Sequence, residues 1–225
     1  MSVTARATEL AGLLGGRYRY VRELGRGAIG RVVLVEDTHG GAPSAAKIVG
    51  PAHGERLRWE LSLLTSLAHP SLAAVHELLR LDAPLPEPFA IEAGTWVLIE
   101  DLAPGRSSDA IVRTIPDLAS RVDLALRAGA ACARALAAMH AAGLVHGDVK
   151  PANVVLPEPP GDAGAAKLVD LGLAGPPGHG AVAGTPAFLA PEAWLGERSA
   201  ASDLFALGTS GGSGAARRRA ARERT

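Results

Sequence analysis

The chain has 225 residues, with 23 basic and 23 acidic side chains and 48% hydrophobic residues. That is enough apolar material for one sizeable core or for two smaller lobes. Zero formal net charge argues against a nucleic-acid or membrane-surface binder, which concentrates positive charge against phosphates. Cys132 is the sole cysteine, so an intrachain disulfide and a Cys-based zinc site are both excluded and a reducing, cytoplasmic setting is expected. The first sixteen residues lack a basic start followed by an apolar run, and the Ala-rich stretch from Ala128 to Leu144 is interrupted by Arg134 and His140. Neither a signal peptide nor a membrane span is expected.

In chain order, Tyr18 to Leu24 and Val32 to Val35 are β-prone runs joined by the glycine-rich turn Gly25 to Gly30, which predicts a hairpin. Ala45 to Val49 predicts a third strand. Leu57, Leu61, Leu64 and Leu67 then recur at helical spacing, predicting a helix over Glu55 to Leu67. Val75 to Leu81 and Thr95 to Ile99 extend the sheet around a Pro-rich loop from Ala83 to Pro88. After Ala103-Pro104-Gly105 the pattern turns helical, with a short helix near Ser107 to Thr114 and a long one from Leu118 to Ala142. Ala166 to Leu171 predicts a short strand, while Pro191 to Leu195 and Ser202 to Leu207 read as helix beginnings. From Thr209 the chain becomes Gly/Ser-rich and then Arg-rich, which predicts a disordered tail.

Three constellations carry chemistry. Gly25, Gly27 and Gly30 stand in a G-x-G-x-x-G-x-V spacing that ends at Val32. A Rossmann fingerprint would run from a strand into a helix, so this context favours a hairpin that covers phosphates, with a plain Gly-rich turn as the competing reading. Lys47 ends the run Ser44-Ala45-Ala46-Lys47; a buried-facing lysine in a strand requires a partner, and Glu60 or Glu55 on the following helix supplies one. The most specific set is His146-Gly147-Asp148-Val149-Lys150-Pro151-Ala152-Asn153, followed by Val169-Asp170-Leu171-Gly172. Two carboxylates, an amide and a lysine are what a phosphoryl transfer needs, since it asks for positioning and charge neutralisation rather than covalent help.

Together these segments resemble the eukaryotic-type (Hanks-type) bacterial Ser/Thr protein kinases over residues 17 to 208. Gly184-Thr185-Pro186-Ala187-Phe188-Leu189-Ala190-Pro191-Glu192 is similar to that family's peptide-docking segment, and Ser202-Asp203-Leu204-Phe205-Ala206-Leu207-Gly208 to its following helix. The resemblance implies an α+β, two-lobed protein kinase-like fold with a β-rich N-lobe bearing one helix and a mainly α, incomplete C-lobe. The implied layout is a flexible segment 1–16, N-lobe and hinge 17–102, partial C-lobe 103–208 and tail 209–225.

It implies Asp148 as catalytic base, Lys150 on the transferred phosphate, and Asn153 and Asp170 on magnesium or manganese. For ATP it implies Lys47 paired with Glu60, which lies beside the apolar stripe, together with the glycine loop. Val32, Ala45 and Val155 would sandwich the adenine, with Ile99 at the back of its pocket and Glu100 to Leu102 at the hinge. Thr185, Glu192 and Asp203 would dock substrate or brace the catalytic loop, the partners being ATP and a protein Ser or Thr.

His-Gly-Asp also occurs in small-molecule phosphotransferases; Lys150 and the Ala-Pro-Glu segment favour a protein substrate over that reading. A pseudokinase fragment that binds nucleotide or a partner is the other alternative. Gly147 stands where the family has an arginine, and the stretch from Asp170 to Gly184 contains no Ser, Thr or Tyr. The expectation is an activity independent of phosphorylation in that segment. The change of character after Gly208 gives the expectation of a C-terminally truncated lobe, with Glu192 lacking an arginine partner.

Overall fold

The computed structural model describes residues 12–27, 30–65, 67–158 and 165–210. The expectations for most of segment 1–16, for Ala28 and Ile29, and for nearly all of the tail 209–225 lie outside these residues. Two compact units emerge, one comprising Met1–Ser66 with Ala74–Leu102 and the other Leu67–Ala73 with Ala103–Thr225.

The first unit is a five-stranded antiparallel sheet. Its strands are β1 (Tyr18–Arg26), β2 (Gly30–Asp37), β3 (Ser44–Val49), β4 (Val75–Arg80) and β5 (Trp96–Asp101), in the order β1-β2-β3-β5-β4. Helix α1 (Gly54–Leu64) follows β3. It is shorter than the Leu57-to-Leu67 stripe suggests, because Leu67 belongs to the second unit. Strand alternation sorts the side chains. Val33, Val35, Ala46, Ile48, Val97 and Ile99 join Phe89, Leu14 and Tyr18 in one buried cluster. Val49 and Leu98 pack instead with Leu57 of α1.

The register sets Lys47 opposite Leu98 and Ala46 opposite Ile99. Ile99, expected at the back of the adenine pocket, lies in the Phe89 cluster, and Leu98 is the β5 residue across from Lys47. Gly30 is required by a close approach: a β-carbon there would lie 3.0 Å from Val49 Cγ1 and 3.1 Å from the Ile48 carbonyl carbon. The third glycine of the loop thus serves the β2–β3 pairing.

The second unit begins at residues 67–73 because they bond to a strand far along the chain. Leu72 bridges Leu168, the Leu168 amide donates to Ser71 O at 2.8 Å, and Lys167 Nζ donates to Leu72 O at 3.1 Å. Strand β6 (Arg106–Ser107) precedes the short helix α2 (Ser108–Val112), narrower than the expected Ser107 to Thr114. Helix α3 (Leu118–Ala141) is capped by Asp117, whose carboxylate accepts from Ser120 N at 2.8 Å. Its inward stripe is Leu124, Ala128, Ala131, Cys132, Ala135, Leu136 and Met139. Burial pushes the Cys132 thiol up to about 11, so it acts as a small apolar residue.

Strands β7 (Val154–Leu156) and β8 (Lys167–Leu168) complete a three-stranded sheet with β6. The expected strand to Leu171 stops at Leu168 because Val169 N turns to donate to Asn153 O. A two-residue pairing of β9 (Gly178–His179) with β10 (Glu197–Arg198) has no counterpart in the expectations. Helix α4 (residues 200–210) starts on a reciprocal cap, Ser199 N to Ser202 Oγ at 2.9 Å and Ser202 N to Ser199 Oγ at 3.2 Å.

Candidate active site

In the first unit β3 and α1 converge on one ion pair. Lys47 Nζ donates to both oxygens of Glu60 at 2.9 Å, with side chains 10% and 1% exposed. Two charges so removed from water persist only as a pair, since either alone would carry an unmet desolvation cost of several kcal/mol. Glu55, the other candidate, is exposed and pairs with Arg58 at 2.7 Å. The glycine hairpin is closed by Gly27 N donating to Gly30 O at 2.8 Å, and Gly25 pairs with Val32. Val32 is half-buried, Ala45 and Glu100 are buried, and Leu102 is partly exposed just past β5.

In the second unit the loop after α3 gathers the remaining residues around Asp148. Its Oδ1 accepts from Thr185 N at 2.9 Å and Thr185 Oγ1 at 2.8 Å, and its Oδ2 accepts from Lys150 Nζ at 2.6 Å. Lys150 Nζ also donates to Thr185 Oγ1 at 2.9 Å. Asn153 Nδ2 donates to Asp148 O at 2.9 Å, and Asn153 O receives Val169 N, which sets Asp170 next to this group. Asp170 adopts φ 63°, a left-handed conformation that Asp tolerates better than most residues. Val155 is half-buried on β7. Glu192 begins the 3-10 turn Glu192–Leu195 and forms no ion pair among the described residues.

Asp203, on α4, holds this loop from beneath. It accepts His146 N at 2.7 Å and Gly147 N at 2.9 Å, and His140 Nε2 of α3 lies 2.9 Å from its Oδ2. His146 is fully buried and its Nδ1 accepts from Asp148 N at 3.2 Å. Burial pulls its pKa below the ordinary histidine value, against the opposing pull of the Asp203, Asp170 and Asp148 carboxylates. A neutral ring is also what an accepting Nδ1 requires.

Sequence reasoning did not single out His140 or Arg198 as functional. His140 stood out only as an interruption of an Ala-rich run, and Arg198 sits in a stretch with no periodicity. Their partners are residues distant in sequence, and no local pattern encodes such contacts.

The site's hard oxygen donors suit a small divalent cation. Among the described residues no cluster of three or more His, Cys, Asp or Glu exists. Magnesium does not need one, since it binds through one or two carboxylates, phosphate oxygens and water.

Comparison with known proteins agrees with this geometry. The protein kinase domain family model matches residues 18–211. Serine/threonine-protein kinase PknA of Mycobacterium tuberculosis is 34% identical over 212 residues, covering 88% of this chain and 46% of that protein. Serine/threonine-protein kinase Pkn1 of Myxococcus xanthus is 33% identical over 213 residues, covering 88% of this chain and 29% of that protein. The chain spans less than half the length of these relatives.

Among solved structures, the Mycobacterium tuberculosis PknI kinase domain superposes with a TM-score of 0.64 at 26% identity, over 89% of this chain and 75% of that one. The kinase domain PF14_0431 superposes with a TM-score of 0.72 over 90% of this chain and 65% of that one; at 20% identity that likeness concerns the fold alone. The sheet-rich first unit and helical second unit are thus the two lobes of a kinase fold, and the chain belongs to the protein kinase domain family.

Proposed function

We propose that this domain transfers the γ-phosphoryl group of ATP to a Ser or Thr hydroxyl of a protein, with Asp148 as the group that receives the hydroxyl proton. The observation that carries the reading is the convergence on one carboxylate: Thr185 and Lys150 both bond Asp148, and Asn153 secures its backbone. A substrate hydroxyl displacing Thr185 Oγ1 would meet a carboxylate already aimed at a donor, beside an ammonium able to offset charge on the phosphoryl oxygens. Asn153 and Asp170 would hold a divalent cation, magnesium or manganese, which neutralises phosphate oxygens when bound.

In the same reading Lys47, held by Glu60, serves the nucleotide phosphates with Gly25, Gly27 and Gly30. Val32, Ala45 and Val155 serve the adenine, and Glu100 and Leu102 the hinge. Residues 17–102 act as N-lobe with hinge and 103–208 as C-lobe. Thr185 and Glu192 are assigned to the docking segment. No helix among the described residues is long and apolar enough to cross a membrane, and a cytoplasmic setting suits the buried thiol of Cys132.

The test is incorporation of γ-labelled phosphate from ATP and magnesium into a basic protein substrate by the full chain. Asp148→Asn should lower turnover by about 10² to 10⁴ with nucleotide binding retained. Turnover indifferent to that substitution would overturn the assignment. Nucleotide binding without any transfer would favour a binding module instead.

A further inference from the structure

Gly147 adopts φ 78°, in the left-handed region open to glycine, and the space beside it is filled from elsewhere. A β-carbon built there would lie 2.9 Å from Arg198 Cζ and 3.1 Å from Arg198 Nε, and closer still to Nη2. The guanidinium of Arg198 thus occupies the volume a side chain at 147 would need. From that position its Nη2 donates to the carbonyl of Leu173, three residues beyond Asp170. Such a bond from a cation is stronger than one between neutral groups.

The same stretch of chain grips the segment again further on. Glu197 pairs with His179 and Arg198 with Gly178, and Gly180 N donates to Gly196 O at 2.9 Å. Arg198 also lines, with Gly147, Asp148, Thr185 and Asp203, a cavity of about 20 Å³, room for one water. Within residues 170–184 there is no Ser, Thr or Tyr, so no hydroxyl there can take a phosphate to order the segment.

We infer that Arg198 is a positioning residue for phosphoryl transfer: its guanidinium, seated over Gly147, clamps the segment that follows Asp170 without any phosphate. The role in transfer rests on the kinase reading above; the clamp itself does not. The clamp fixes Leu173 and, through β9 and β10, the backbone of residues 178–180, and so holds the chain on the far side of Asp170.

The test compares the full chain with Arg198→Ala and Arg198→Lys, reading amide hydrogen exchange together with steady-state kinetics. Arg198→Ala should speed exchange over residues 171–180 about tenfold or more while leaving the β3 amides unchanged. It should also lower kcat about tenfold, with the KM for ATP within about twofold. Arg198→Lys, which keeps one charged donor, should recover part of both losses. Gly147→Ala should displace the guanidinium and loosen the same residues, and should add little when combined with Arg198→Ala.

Unchanged exchange over 171–180 in Arg198→Ala would overturn the clamp, and so would a rise spread evenly through the chain. A loosened segment with unchanged kcat would overturn the positioning role. If the unsubstituted chain transfers no phosphate the kinase reading fails, and the exchange measurement still decides the clamp.

Discussion

Glu60 and Glu55 differ by five positions on α1, yet one is 1% exposed and takes the Lys47 ammonium on both oxygens while the other meets solvent and Arg58. Burial likewise decides the behaviour of His146. Its pKa is depressed in the folded chain, so between that value and about 6.5 the unfolded chain binds a proton that the folded chain does not. Its contribution is therefore complete above about pH 6.5 and is lost as pH falls below it, at no more than about 1.4 kcal/mol per pH unit. Denaturant unfolding of the parent and of His146→Asn between pH 7.5 and 5.5 checks this. The variant, though less stable throughout, should lose stability less steeply with acidification, and parallel curves would contradict the sign.

Elements were legible where one period dominates a segment. The short apolar runs of β3 and β5, buried along nearly their whole length, and the inward stripe of α3 follow from the need to bury those residues, so those segments fall close to their expected places. Boundaries were less so: α1 ends at Leu64 although the leucine spacing continues to Leu67, because that leucine is taken by the second unit. The β9–β10 pairing could not be read, since Gly178 and His179 have neither side-chain alternation nor β-branching. The Pro-rich loop after β4 read as a plain connection, yet it leads to Phe89, which is 0% exposed and meets Tyr20 edge-on at 5.5 Å. Phe89→Ala should cost about 3 to 5 kcal/mol, measured by denaturant unfolding. A loss below about 1 kcal/mol would show that the loop does not cover the sheet as described.

At the scale of the whole molecule, each unit carries its own candidate residues, Lys47 and Glu60 in the first and Asp148, Asn153 and Asp170 in the second. If ATP with magnesium binds only the folded chain, at about a hundredfold excess over Kd it should add about 2.7 kcal/mol, a rise in melting temperature of about 5 to 10 °C. Lys47→Met should shrink that rise, and Asp170→Asn should remove its magnesium-dependent part. An equal rise with and without magnesium in the parent chain would argue against the metal assignment. The second unit also leaves Leu118, Val122 and Leu126 of α3 at 60%, 46% and 69% exposed. These line an open groove of about 930 Å³ with Phe188 and Leu207, an apolar surface larger than isolated exposed side chains would explain.

Sequence by itself determined the family, the sheet-then-helix order and the identity of Lys47, Asp148, Asn153 and Asp170 as candidates, because each rests on residue types at fixed local spacing. Only the tertiary structure decided that Leu98 stands across from Lys47, that residues 67–73 join the second unit, and that Arg198 fills the space over Gly147. Those outcomes depend on register and on contacts between residues tens of positions apart. Such contacts are settled by which groups can be buried and bonded together, and a local pattern does not record that.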